Sequence, residues 1–268
     1  MDIYELMIKT NYFLIKGGTL TDGQKKNIVN QFLSAVSNKE TSRRFYNGVK
    51  YPNNIDREGR RMYPVFFIPP YNSGKKYKTI MAQTPKTHIL SANLYELEII
   101  RLLHILEPNN ETVIDMVSKT ISRLKTTCFG NRDDGLGECY DTSLIVLRFL
   151  ASVAQNETIW IKERIINYHK YYNEKHRHRG VKWYYWLCLS ELPFDIAETE
   201  IIKCKDELLK LINASYIMNN ENDILTHPIF ICVIRNCLAR LPEYEYIRER
   251  LPYVDERNGR LYFNMTYL

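Results

Sequence analysis

"TSLIVLRFLASVA" (142–154) and, just beyond it, "ETIWIKERIINYHKYY" (157–172) decide how this chain is read. The first is apolar almost all the way round, so as a helix it must be covered on every side. The second keeps its apolar residues on one stripe and leaves a face for water. "NETVIDMVSKTISRLK" (110–125) and "ETEIIKCKDELLKLINASY" (198–216) belong with the second, and Val113, Ile114, Val117, Ile121 and Leu124 are expected on one face. "VKWYYWLCLSEL" and "HPIFICVIRNCLARL" belong with the first, and "NLYELEIIRLLHILE" lies between the two classes.

The classes alternate. Fully apolar helices begin near Asn93, Tyr140, Val181 and His227, at spacings of 47, 41 and 46 residues. Each is followed by a polar link, "EPNN", "AQNE", "LPFD" or "LPEY", and then by an amphipathic helix. An N-terminal pair, Ile3–Ile15 and Gln24–Val36, adds another hairpin. Helical hairpins recurring at this period complete one another's cores. No strict two-residue alternation with hairpin turns accompanies them. The expectation is an all-α fold, residues 1–268 in a single domain, with repeated hairpins in two layers. Pro228 is read as lying at the start of the last inner helix, where a missing N–H is tolerated.

Residues 41–92 depart from that pattern as a basic, irregular insertion. Between Thr41 and Asn93, ten Lys or Arg are set against only Asp56 and Glu58, a net +8 that leaves −2 for the rest of the chain. Its prolines and glycines break long helices. Arg43-Arg44, Arg60-Arg61 and Lys75-Lys76 with interleaved tyrosines suit phosphate or base stacking. No nucleic-acid motif accompanies them, and nucleic acid is not the expected partner.

The first segment, "MDIYELMIKTNYFLIKGG", mixes Asp2, Glu5 and Lys9 with its apolar residues and has no small-residue cleavage site, so it reads as helix rather than export signal. No apolar run reaches the length of a membrane span. Six cysteines without an export signal point to reduced thiols and a cytoplasmic setting.

Alternation brings every link from an outer helix to the next inner helix to one end of the array. Those links hold His88, then Asp133, Asp134 and Glu138, then His176 and His178, then Asp223 and His227. Inner-helix N-termini also point there, with free N–H groups. Asp134, Glu138, Cys139 and Asp141 are the candidate catalytic residues: clustered carboxylates shift one another's pKa, and a thiol at a helix N-terminus is activated. Set against this is a polar turn in which Asp141-Thr142 caps a helix and Cys139 is an inert thiol. His178, Trp183, Tyr184 and His227 are the candidate ligand-binding residues, with "EKHRHRG" as a solvated loop and His227 as a helix cap for the plainer reading. Trp183 to Trp186 occupy successive 100° steps, so one or two face the interior. Cys128 and Cys139 lack metal-type spacing, no metal site is expected, and the cofactor is left open.

Hairpins of about 45 residues in two layers, with "RDDGLGECYDTSLIVLRFL" leading into an inner helix and "WYYWLCLSEL" as the next, resemble the α/α-toroid proteins. These include terpenoid cyclases and the β subunits of protein prenyltransferases. The resemblance, over residues 93 to 241, implies a closed α/α array binding a small or elongated ligand, with terpenoid-cyclase-like chemistry. Departures are evident. There is no Asp-x-Asp-Asp acid motif, Leu136 stands near the Trp position of the repeat turn, and Gly137 stands where a third Asp of an Asp-Asp-x-x-Asp motif would be. The alternatives are a HEAT-like scaffold that binds proteins, and a carbohydrate-active α/α barrel using Glu98 with Asp141 or Glu138.

Overall fold

The computed structural model describes residues 2–36, 77–84, 88–126, 130, 138–174 and 179–266; for 88–93, 126, 138–142, 171–174, 179–181 and 222 it describes the backbone only. The chain is helical over most of this length, as the patterning predicts. The helices are α1 (Ile3–Ile15), α2 (Asp22–Ser34), α3 (His88–Leu106), α4 (Glu111–Thr126), α5 (Glu138–Val153), α6 (Thr158–Glu174), α7 (Arg179–Glu191), α8 (Phe194–Ile212) and α9 (Glu221–Leu238). A 3-10 helix (Pro242–Ile247) and the strands β1 (Tyr216–Ile217), β2 (Tyr253–Asp255) and β3 (Arg260–Tyr262) complete the described elements. None of the described helices is long and apolar enough to cross a membrane.

Two compact units make up the chain. Unit 1 comprises Met1–Lys9, Leu20–Thr79 and Gln83–Arg177; unit 2 comprises Thr10–Thr19, Ile80–Ala82 and His178–Leu268.

In unit 1, α3 packs along α5, with α4 against α3, α6 against α5 and α2 also on α3. The all-round apolar reading of the inner helices holds. Leu94 through Leu103 and Ser143 through Ala151 are buried without a break. Each fully buried Leu or Ile there contributes about 2 kcal/mol. The one-sided helices differ in detail. α4 buries Val113, Met116, Val117 and Leu124 but leaves Ile114 50% exposed, a correction to its expected place. The stripe turns because Thr120 and Arg123 also face inward.

Local chemistry sets the helix ends. Thr21 and Gln24 close a capping box on α2. Asn110 Oδ1 accepts from the Thr112 and Val113 amides and starts α4 straight after "EPNN". Tyr4 of α1 donates to the Lys78 carbonyl, and its ring continues through Tyr77 to Tyr95 of α3.

In unit 2, α7 packs along α9, and α8 lies against both. α1 ends at Gly17, whose φ of 92° suits a residue without Cβ. Arg235 of α9 then satisfies the exposed carbonyls of that helix end. It donates from Nη2 to Ile15 at 3.0 Å and from Nη1 to Lys16 at 3.3 Å, and Nη1 also reaches Arg250 at 2.6 Å. A cation at a helix C-terminus is favoured by the dipole as well as by the hydrogen bonds.

Three expectations change in unit 2. Pro228 lies inside α9 rather than at its start, because Asn220 caps the helix seven residues earlier than the pattern suggests. The fourth link shrinks accordingly, and most of "NNENDILTH" is helix. After "LPEY" no amphipathic helix follows; a 3-10 helix leads instead to a small antiparallel sheet of order β1-β3-β2. Asn258-Gly259 supplies its turn, with Gly259 at φ 64°, which is a hairpin signal that helical periodicity passes over.

Candidate ligand site

Rings collect on the face shared by α7 and α9 in unit 2. Trp183 stacks on Phe230 at 4.6 Å between centroids and meets Trp186 edge-on at 5.2 Å. From Phe230 the row continues to His227 at 6.0 Å and from His227 to Tyr216 of β1 at 5.6 Å. Such offset and edge-to-face pairs are worth about 0.5–1.5 kcal/mol each beyond their burial. Trp183 is fully covered, while Phe230, His227 and Tyr216 are half-buried, so the row runs from core to surface.

Helix geometry places the polar end. Asp223 and His227 are one turn apart on α9, with Asp223 Oδ1 3.9 Å from His227 Nε2. This is beyond hydrogen-bond length and acts as a charge contact when the imidazole is protonated. Asp223 is held by other partners. Its Oδ2 accepts from the Asn219 amide at 3.2 Å and from Asn220 Nδ2 at 3.0 Å, and its own N–H donates to Asn220 Oδ1. Among the described residues His227 Nδ1 is buried without a hydrogen-bond partner. Tyr216 is fixed by its hydroxyl, which donates to the Leu211 carbonyl at 2.7 Å. The arrangement sets an imidazole and a carboxylate at the surface end of a row of packed rings. It suits a ligand with a planar or ring-shaped apolar part and one polar group.

Unit 1 holds a second polar concentration of another kind. Both carboxylate oxygens of Glu98 on α3 accept from Arg148 Nη1 of α5 at 2.7 Å, with both residues fully buried. Arg101 Nη1 lies 3.7 Å from Glu98, and Arg101 Nε donates to Ser152 at 3.0 Å. Glu96 of α3 meets Arg123 of α4 at 2.6 Å. Arg164 of α6 is buried too. Glu98 is therefore clasped in a buried ion pair with Arg148.

Burial disfavours the thiolate at three of the thiols described in unit 2, pushing Cys204 up to about 12 and raising Cys232 and Cys237 as well. Cys237 donates instead to the Trp186 carbonyl at 3.1 Å. Among the described residues no three of His, Cys, Asp and Glu gather as metal ligands would.

Of the residues chosen from sequence, Trp183 and His227 belong to the ring row, joined through Phe230. His227 is not a helix cap; that place is held by Asn220. Tyr184 is buried beside Trp183, and Tyr185 donates to Glu200 at 2.8 Å, so the whole Trp183–Trp186 run is covered. Asp134 and His178 lie outside the described residues, as do the side chains of Glu138, Cys139 and Asp141. Asp133, His176 and residues 41–76 and 85–87 of the insertion fall there too, while 88–92, expected to be irregular, are the first turn of α3. Sequence reasoning puts Asp223 and His227 on one link but misses that they stand one helical turn apart, and it misses Phe230 and Tyr216 as ring partners. The spacings 223, 227 and 230 carry that signal once α9 is started at Glu221.

Comparison with known protein families, with characterised proteins and with solved structures finds no match to this chain.

Proposed function

We propose that this chain binds a small or elongated, largely apolar ligand on the α7–α9 ring row. We further propose that its hairpins are arranged in the manner of the α/α-toroid proteins that its sequence resembles. The row from buried Trp183 to half-buried His227 and Tyr216 carries the reading, because it joins an apolar seat to polar anchors. The helix register supports the architectural part. Glu98 meets Arg148 and Arg101 meets Ser152, offsets of 50 and 51 residues, so α3 and α5 run parallel. Cys237 meets Trp186 and Arg240 meets Leu189, both offset by 51, so α7 and α9 do the same. Parallel inner helices separated by one hairpin are what such an array requires. A cytoplasmic setting is supported by the described cysteines Cys188, Cys204, Cys232 and Cys237, none of which is joined in a disulfide. A terpenoid-cyclase-like reaction on that ligand is the chemistry the resemblance implies, with the ring faces stabilising a cation.

Farnesol and maltotriose serve as probes of the apolar and the sugar-like ligand. Titration of the full chain should give a saturable change in tryptophan emission with farnesol, weakened at least tenfold in Phe230→Ala and His227→Ala. Saturation by neither probe, or equal binding by both variants, overturns the reading. A second reading, the protein-binding scaffold, is favoured by one observation. Ile159 and Ile166, seven residues apart on α6, are 77% and 66% exposed on a single face.

A further inference from the structure

The two halves of α9 differ in almost every respect that governs local stability. From Glu221 to Pro228 only Thr226 is buried among the described side chains, whereas Ile229, Ile231 to Arg235, Cys237 and Leu238 are all buried. Ile224 and Leu225 expose 56% and 61% of their surface, so the outer turns gain little from burial. Pro228 stands at the junction. It has no N–H to give the Ile224 carbonyl four residues back, and its ring crowds that carbonyl. The first turns are thus joined to the rest of the helix by a weakened ladder. They are held at their far end by the Asn220 cap and by Asp223, and nearer the proline by the single buried side chain, Thr226.

From this contrast we infer that Glu221–His227 opens as a unit about Pro228 and gates the ring row. His227 is the last residue of the moving segment, and Phe230 and Trp183 belong to the fixed part. Opening draws the imidazole away from Tyr216 and Phe230 and bares the edge of the rings beneath it, which makes room for a planar ligand; closing returns the imidazole and Asp223 over it. The gating role rests on the ligand reading above, and the hinge does not.

Amide hydrogen exchange on the full chain, without ligand, tests the hinge. The amides of Leu225, Thr226 and His227 should exchange at least tenfold faster than those of Val233 to Cys237. Pro228→Ala restores the missing donor and should slow exchange at 225–227 at least tenfold while leaving 233–237 unchanged. Equal protection along the helix, or no response to Pro228→Ala, overturns the inference. Farnesol then separates the two ideas. Slower association with Pro228→Ala supports the gate, and an unchanged rate overturns the gate while the hinge stands on exchange. Failure of the wild-type chain to bind farnesol or maltotriose sinks the ligand reading and the gate together, and the exchange contrast alone then decides the hinge.

Discussion

α3 with α5 and α7 with α9 run side by side at nearly the same offset, yet the two pairs hold their buried polar groups by different means. In unit 1 the partners are charges on neighbouring helices: Glu98 with Arg148, and Glu96 with Arg123. In unit 2 the deeply buried cation Arg235 donates to backbone carbonyls and to Asn236 Oδ1. Cys237 and Arg240 likewise reach backbone carbonyls of α7 beside aromatic and aliphatic packing. An ion pair must recover the solvation of two charges, and does so only with close bidentate geometry. A guanidinium on a helix end recovers the solvation of one charge and satisfies carbonyls that the fold would otherwise strand. The first arrangement fixes which helix faces which, and the second fixes where a helix ends.

Removing one member of the unit 1 pair should break this contrast most severely. Arg148→Ala leaves Glu98 buried beside the more distant Arg101, and urea denaturation should show a loss of about 3–5 kcal/mol. The joint change Glu98→Leu with Arg148→Met should recover most of that loss. If the double variant is as unstable as the single one, the pair is not what the core depends on.

Next in size, Arg235→Leu strands the Lys16 and Arg250 carbonyls and leaves the Ile15 carbonyl to Asn236 Nδ2 alone. A loss of about 3 kcal/mol is expected, with little rescue by Arg235→Lys, whose single ammonium cannot span them. Full rescue by Lys would mean that charge alone matters there.

The thiols sharpen the contrast through pH. Burial raises Cys204 from 9.0 to about 12, so the folded chain keeps its proton where the unfolded chain loses it. The stabilisation is complete below pH 9 and is lost as pH rises from there towards about 12. Thermal melts across that range should show Tm falling with pH, less steeply in Cys204→Ala. A Tm that is flat above pH 9 would rule the linkage out.

Smallest of all, Ile159→Lys with Ile166→Lys should change stability by no more than about 0.5 kcal/mol, since both side chains stand largely in solvent. A larger loss would show that the α6 face is covered in solution, which is the outcome the scaffold reading needs.

Much of the fold is legible in the residues. The α1 bounds, the starts of α4 and α6 and the covered runs of α3, α5 and α7 all follow from local periodicity and capping. The start of α9 does not, because "NNENDILTH" is polar enough to pass for a link, and Pro228 looks like a first-turn proline. Only the tertiary setting, which leaves the Ile224 end of the helix open to water, lets that proline sit inside. The misplaced start also hides the one-turn spacing of Asp223 and His227 and the place of Phe230, so the candidate site is legible only in part. The C-terminal sheet escapes because strands of two or three residues carry too little pattern to read.

The sequence alone determined that the described chain is mostly helical and which helices must be covered all round. These are properties of neighbours within a turn or two, fixed by the 3.6-residue period. Only the tertiary structure decided that Glu98 meets Arg148, that Arg235 caps α1, and that Trp183, Phe230 and His227 form one row. Such pairings depend on how each helix is rotated and shifted against another far along the chain, 50 residues away for Glu98 and Arg148 and 220 for Arg235 and Ile15, and no local pattern encodes that.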